Sequence, residues 1–267
     1  MIQSKQMSES IRLGILLAIS GGCMDAYSYI QRGHVFANAQ TGNMLLFGVH
    51  LSEGNLPVAM QYFFPVFAFA LGIVLAEWIR TRIKEMLHWR QMAVLIESII
   101  LIAVAFFPLT MNLPANVLTS FACGIQVETF RKIRGNGIAT TMCIGNMRTG
   151  TENLFHFFHT KDSAFLRKST LYYGIILCFV TGAVIGNFFI HLLHEKAILC
   201  CSMLLFLAFL FFRDYPDGID GHEHSVHPDA VSCTSLSVRL IPFYVQPNTF
   251  CCILFFLLSR FIGILPC

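Results

Sequence analysis

The sequence predicts an all-α, polytopic helical membrane protein: about six transmembrane helices in a 3+3 inverted repeat, with a candidate seventh apolar segment at its C-terminal end. Three observations predict it. Apolar residues make up 55% of the 267 residues and charged residues only 12%, with mean hydropathy +0.65, about half the charge density of an average soluble domain. The apolar residues form continuous runs long enough to cross a bilayer, and a polar motif recurs after 103 residues. Such a composition excludes a soluble metabolic enzyme, a nucleic-acid reader and a disordered chain. A net charge of +3 is too small to imply a polyanionic partner, so the expected partners are the lipid bilayer and a small-molecule or ion substrate.

Crossing a hydrocarbon core of about 30 Å takes roughly 17–25 apolar residues as helix. Six segments qualify in order: Ile11–Ile30, Pro57–Ile79, Gln91–Leu109, Ala115–Phe130, Ser169–Leu193 and Lys196–Phe212. They are continuously apolar rather than alternating, which argues against barrel strands. The first lacks a small-residue cleavage site and is expected to be retained as a signal anchor. Most of the ten cysteines sit inside these runs, where a thiol packs as a small hydrophobe.

Lys and Arg placement orients the spans. With six crossings, fourteen basic residues fall on the N-terminal side, among them Arg80, Arg90, Arg131 and Arg167, and two, Arg32 and Lys196, on the other. The N-terminus is therefore expected in the cytoplasm. Counting Val35–Leu51 and Ile138–Phe158 as further crossings would reverse that bias. Both are accordingly expected to be re-entrant, interfacial or broken helices.

The repeat organises the chain into residues 1–110 and 111–213, each with three spans, followed by a polar tail, 214–246, and an apolar segment, 247–267. Under the 103-residue shift, Asp25 falls on Glu128 and Gly42-Asn43-Met44 on Gly145-Asn146-Met147. Three spans per unit is an odd number, so the second unit enters from the opposite side, as in many secondary transporters. A carboxylate within a span must be protonated, paired or facing water. Asp25 therefore fits either proton or cation binding or capping of the backbone that follows it. Glu97 lies seven residues into the third span, and Glu77 is expected to pair with Arg80 at a span end. The Gly-Asn dipeptides suit the break of a re-entrant element, because Gly permits close approach and the Asn amide can satisfy an opened carbonyl or a ligand. Gly72 and Gly182-x-x-x-Gly186 offer small surfaces for helix packing.

The candidate substrate or proton site comprises Asp25, Thr41, Asn43, Glu97, Gln126, Glu128 and Asn146. No H-E-x-x-H, P-loop or G-x-S-x-G pattern occurs. The chain is thus not expected to be an enzyme, and no catalytic residue, cofactor or metal ligand is assigned.

At Gly21-Gly-x-x-Asp25-Ala, Thr41-Gly-Asn43 and Gly124-x-Gln126 the sequence resembles the YoaK family of bacterial polytopic membrane proteins, over roughly residues 10 to 213. The resemblance implies an inner-membrane protein of about six helices, sometimes described as permease-like. It places Asp25, Thr41, Gly42, Asn43, Gln126, Gly145 and Asn146 at motif-like positions. Ile144 stands where the second motif would carry Thr. The leading expectation is a permease for a small solute or ion with its site between the halves; the alternative is a membrane binding or assembly protein that does not transport.

Overall fold

The computed structural model describes residues 11–82, 86–133 and 135–213; the expected tail and seventh apolar segment lie outside the described residues. Among the described residues the chain is all-α apart from one small hairpin. Its helices are α1 (Ile11–Gln31), α2 (Gln40–Ser52), α3 (Leu56–Arg82), α4 (Met86–Val104), α5 (Asn112–Thr129), α6 (Cys143–Thr160), α7 (Ser163–Leu193) and α8 (Ile198–Arg213). Strands β1 (Lys132–Ile133) and β2 (Asn136–Gly137) pair antiparallel. By length and apolarity, Ile11–Gln31, Leu56–Arg82 and Ser163–Leu210 are able to cross a membrane; the last joins α7 to α8 through a short 3-10 turn.

Each expected span falls on a helix, but several ends shift: α4 begins five residues before Gln91 and α7 six residues before Ser169, and two further shifts have a visible cause. The third was expected to run to Leu109, but α4 stops at Val104. Its last carbonyl and that of Phe107 accept from the Arg32 guanidinium, which closes the helix end, and Pro108 then begins a turn. The fourth begins three residues early, at Asn112, because Pro114 falls in the first turn, where its missing N–H is not needed.

Helix α1 is apolar around most of its circumference and is buried along most of its length, as befits a central helix. It packs most extensively on α7, and α3 does the same on α5. Both contacts depend on glycine: a Cβ at Gly22 would collide with the Phe179 carbonyl, one at Gly182 with the Ile19 carbonyl, one at Gly72 with Phe121 and one at Gly124 with Phe69. Backbones approach this closely only where side chains are absent.

The neighbours also give directions. Along α1, Gly14, Ile19 and Cys23 meet Ile175, Gly182 and Gly186 in turn, so α1 and α7 run parallel. Helices α1 and α5 run antiparallel, since Met24 lies beside Cys123 while the Arg32 carbonyl accepts from Asn116 further back along α5. Helices α4 and α8 meet at Ser98 and Ser202, whose hydroxyls each donate to the other's backbone carbonyl, at 3.1 and 2.9 Å.

Candidate functional site

Two extended arms, one ahead of α2 and one ahead of α6, bring the polar residues into the bundle. Helix α1 ends in a reversal at Gly33 (φ 83°) and His34 (φ 60°), and residues 35–39 turn back along it. There the Asn38 side chain donates to the Gly21 carbonyl (3.2 Å), and the Asn38 backbone N–H donates to Asp25 Oδ1 (2.7 Å). Gly21 lies ten residues from the end of α1, or about 15 Å at 1.5 Å per residue, roughly half the thickness of a hydrocarbon core. The chain leaves that depth as α2, whose thirteen residues span only about 20 Å. At thirteen residues α2 is too short to cross a hydrocarbon core by itself.

Asn43 fixes the first arm to the start of α2. Its amide pairs with both backbone groups of Phe36, accepting from the N–H (2.9 Å) and donating to the carbonyl (2.8 Å), and it also donates to Gln40 Oε1 (2.8 Å). Gln40 in turn donates to the Ala37 carbonyl (2.7 Å) and to Ser120 on α5 (3.3 Å). Asp25, only 7% exposed, accepts from the arm at Asn38, with the backbone of Ala37 and Ala39 turned to the same carboxylate. Every polar group of the arm that these bonds reach would otherwise be stranded away from water.

The second arm, residues 138–142, repeats part of this. Asn146 donates to the Ala139 carbonyl (2.7 Å), seven residues back, as Asn43 does to Phe36. Thr141 touches α1 at Gly21, where a Cβ would strike its methyl group. Beside it the Gln126 amide sits between Thr140 Oγ1 at 3.4 Å and the Glu97 carboxyl, whose oxygens lie at 2.6 and 3.1 Å. Glu97 is 1% exposed. If its carboxyl is ionised, the amide nitrogen donates to it and the amide oxygen faces the threonine hydroxyl. If it is protonated, its O–H donates to the amide oxygen and the nitrogen faces the threonine. Turning one amide satisfies both states.

Asp25, Asn43, Glu97, Gln126 and Asn146 therefore gather around the arms. Three sequence expectations do not hold. Thr41 is exposed on the surface of α2 and is not among the side chains holding the arm. Gly42 and Gly145 were expected at the breaks, yet both lie within the first turn of a helix, while the first break is made at Gly33 and His34. Glu128 stands apart from the arms. It pairs with Arg131 (3.2 Å) near the expected Glu77–Arg80 ion pair, where α3 and α5 end.

Sequence reasoning missed several contributors, Gln40 of the first arm among them. Arg32 is 1% exposed and donates to Tyr27 Oη (2.9 Å), to the carbonyls of Val104 (3.2 Å), Phe107 (2.8 Å) and Pro108 (3.1 Å), and to Asn112 Oδ1 (3.4 Å). Tyr27 passes the network on to the Glu195 carbonyl (2.8 Å). Thr140 was missed beside Gln126. At the arm tips, Asn38 and Thr141 are each 4% exposed, yet Asn38 Oδ1 and Thr141 Oγ1 make no hydrogen bond among the described residues. They are 103 residues apart, so the repeat shift would have paired them.

The family model described as "Protein of unknown function (DUF1275)" matches residues 13–211. The chain is also 26% identical over 182 residues to the UPF0700 transmembrane protein YoaK of Bacillus subtilis (strain 168), covering 64% of this chain and 79% of that one. No solved structure matches.

Proposed function

The chain belongs to the DUF1275 family of membrane proteins, and on that premise we propose that it is a permease for a small solute or ion, with its site where the two re-entrant arms meet. The observation that carries the proposal is the pair of buried, unpartnered oxygens at the arm tips, Asn38 Oδ1 and Thr141 Oγ1. A buried acceptor without a donor costs about 1–3 kcal/mol. Two of them at corresponding positions suit a ligand that brings its own donors or positive charge.

The alternating-access geometry rests on an inverted repeat, for which several observations argue. Helices α2 and α6 start 103 residues apart. Helix α1 packs on α7 as α5 packs on α3, and α1 and α5 run antiparallel. The Ser98–Ser202 exchange is what a pseudo-twofold axis between α4 and α8 would produce. In this scheme the protein lies in a bacterial inner membrane with its N-terminus in the cytoplasm. The first arm approaches from outside and the second from the cytoplasm.

Glu97 is the proposed proton carrier, because its contact with Gln126 survives both protonation states. Asp25 fits a structural role better, its carboxylate being spent on the arm backbone. That bond is also what favours the second reading, a membrane binding or assembly protein with no transport cycle.

Proteoliposomes separate the two. Charge movement recorded on solid-supported membranes, for a panel of amino acids, monovalent cations and sugars with and without a pH gradient, should identify a transported solute. Glu97→Gln keeps an amide-to-amide hydrogen bond to Gln126, so it should fold and yet lose gradient-driven flux by at least tenfold. Wild-type gradient dependence in that variant removes Glu97 from the mechanism, and no flux for any solute favours the binding protein.

A further inference from the structure

Away from the arms, where α3 and α5 end and α4 begins, a cavity of about 190 Å³ is lined by Ala76, Arg80, Trp89, Arg90, Glu128, Thr129, Arg131 and Lys132. Its composition departs from the rest of the chain. Four of these residues are cationic and one is acidic, in a protein with a net charge of only +3. The buried side is apolar: Ala76 and Trp89 pack with Ala93 and Ile125. The rim is charged, and not all of its cationic capacity is spent within the protein. Arg80 engages Glu77 through one terminal nitrogen, while its Nε is buried and makes no hydrogen bond. Arg131 engages Glu128 through Nη1 at 3.2 Å.

We propose that this cavity is a binding site for a phosphate group, with the guanidinium groups of Arg80, Arg90 and Arg131 and the Lys132 ammonium around the anion. Guanidinium forks match the tetrahedral oxygens of phosphate in pairs. Ion pairs with Glu77 and Glu128 hold Arg80 and Arg131 in place and leave other N–H donors of each fork for a ligand. The apolar floor at Trp89 accommodates whatever adjoins the phosphate. A lipid headgroup and a free phosphate share this chemistry, and the cavity's place at the ends of apolar helices puts both within reach. This site is independent of the transport proposal, since none of its lining residues belongs to the arms.

Trp89 supplies the readout. The chain has two tryptophans, so Trp78→Phe leaves Trp89 as the reporter in the purified full-length protein in neutral detergent. Titration with phosphatidylglycerol micelles, phosphatidylcholine micelles and inorganic phosphate is expected to give a saturable change in Trp89 emission with an anionic phosphate, and none with phosphatidylcholine. A response to phosphatidylglycerol alone assigns a lipid headgroup; a response to inorganic phosphate as well assigns a site open to free anions. Lys132→Gln, at an exposed position, should weaken binding about fivefold, as expected for one surface cation. Glu128→Gln should tighten it, a direction that loss of structure would not produce. No saturable change with either anionic ligand, or affinities that do not move in those two variants, overturns the assignment.

Discussion

The two arms share a plan but not a wiring. The first is held along its length: Asn43 binds both backbone groups of Phe36, Gln40 adds the Ala37 carbonyl, and Asp25 takes the Asn38 N–H. The second has one matching bond, from Asn146 to the Ala139 carbonyl, and leans on a titratable neighbour, the Glu97–Gln126–Thr140 group. At the position that the repeat shift assigns to Gln126, the first half has Cys23. The difference suggests a division of labour, in which a rigid arm provides a fixed wall and a sparsely held arm provides the part that responds to a proton. Local opening draws on regions with few internal bonds, so the second arm is the one expected to move.

The strongest break of the comparison concerns sidedness. If the halves are inverted, the turn after α2 and the turn after α6 face opposite sides of the membrane. In a background stripped of native thiols, a cysteine replacing Glu53 should label with an impermeant maleimide added outside intact cells. A cysteine replacing Lys161, at the α6–α7 turn, should label only after the membrane is opened. Labelling of both from the same side would end the inverted arrangement and, with it, the proposed two-sided access.

A stability pair sharpens the comparison at intermediate size. Asn43→Ala removes three hydrogen bonds and strands both Phe36 backbone groups, whereas Asn146→Ala removes one. At about 1 kcal/mol for each lost bond, the first should cost about 3 kcal/mol and the second about 1. Unfolding in mixed micelles with increasing SDS would measure both. Equal costs would mean that the arms are equally held, and the argument for a mobile second arm would fail.

How much of this could be read from the sequence depends on whether a residue's chemistry or its depth decided its role. The helices that carry the expected spans and the Asn43–Asn146 correspondence were legible, because apolar run length and a repeated polar type survive in a linear string. The Glu77–Arg80 pair was legible too, since both residues lie on one helical turn. Arg32 was not, because a tally of cations treats each as a loop charge in water, while this one is buried among carbonyls that close α4. Asn38 and Thr141 escaped because an amide and a hydroxyl do not score as identical, although both offer an oxygen at the same place in the fold. Thr41 was drawn in by its motif, but a helix shows one face inward, and Asn43 occupies that face.

The smallest expected effect tests the glycines that the two motifs share. Gly42 and Gly145 correspond in sequence and both are helical, so neither is required for a special backbone angle. Their surroundings differ. A Cβ at Gly42 would lie 2.8 Å from two carbons of the Phe36 ring, whereas one at Gly145 meets nothing within 4 Å. The Phe36 ring has little room to yield, being stacked on Tyr29 at 4.9 Å while Asn43 holds its backbone. Gly42→Ala should therefore cost about 1 kcal/mol through overpacking. Gly145→Ala should be neutral or stabilising by a few tenths of a kcal/mol, since alanine loses less entropy in a helix. The same SDS titration resolves the sign. Opposite signs at corresponding positions would show that the first motif's glycine is needed by its own arm; a matching loss at Gly145 would point to a partner surface on α6 that the second motif serves.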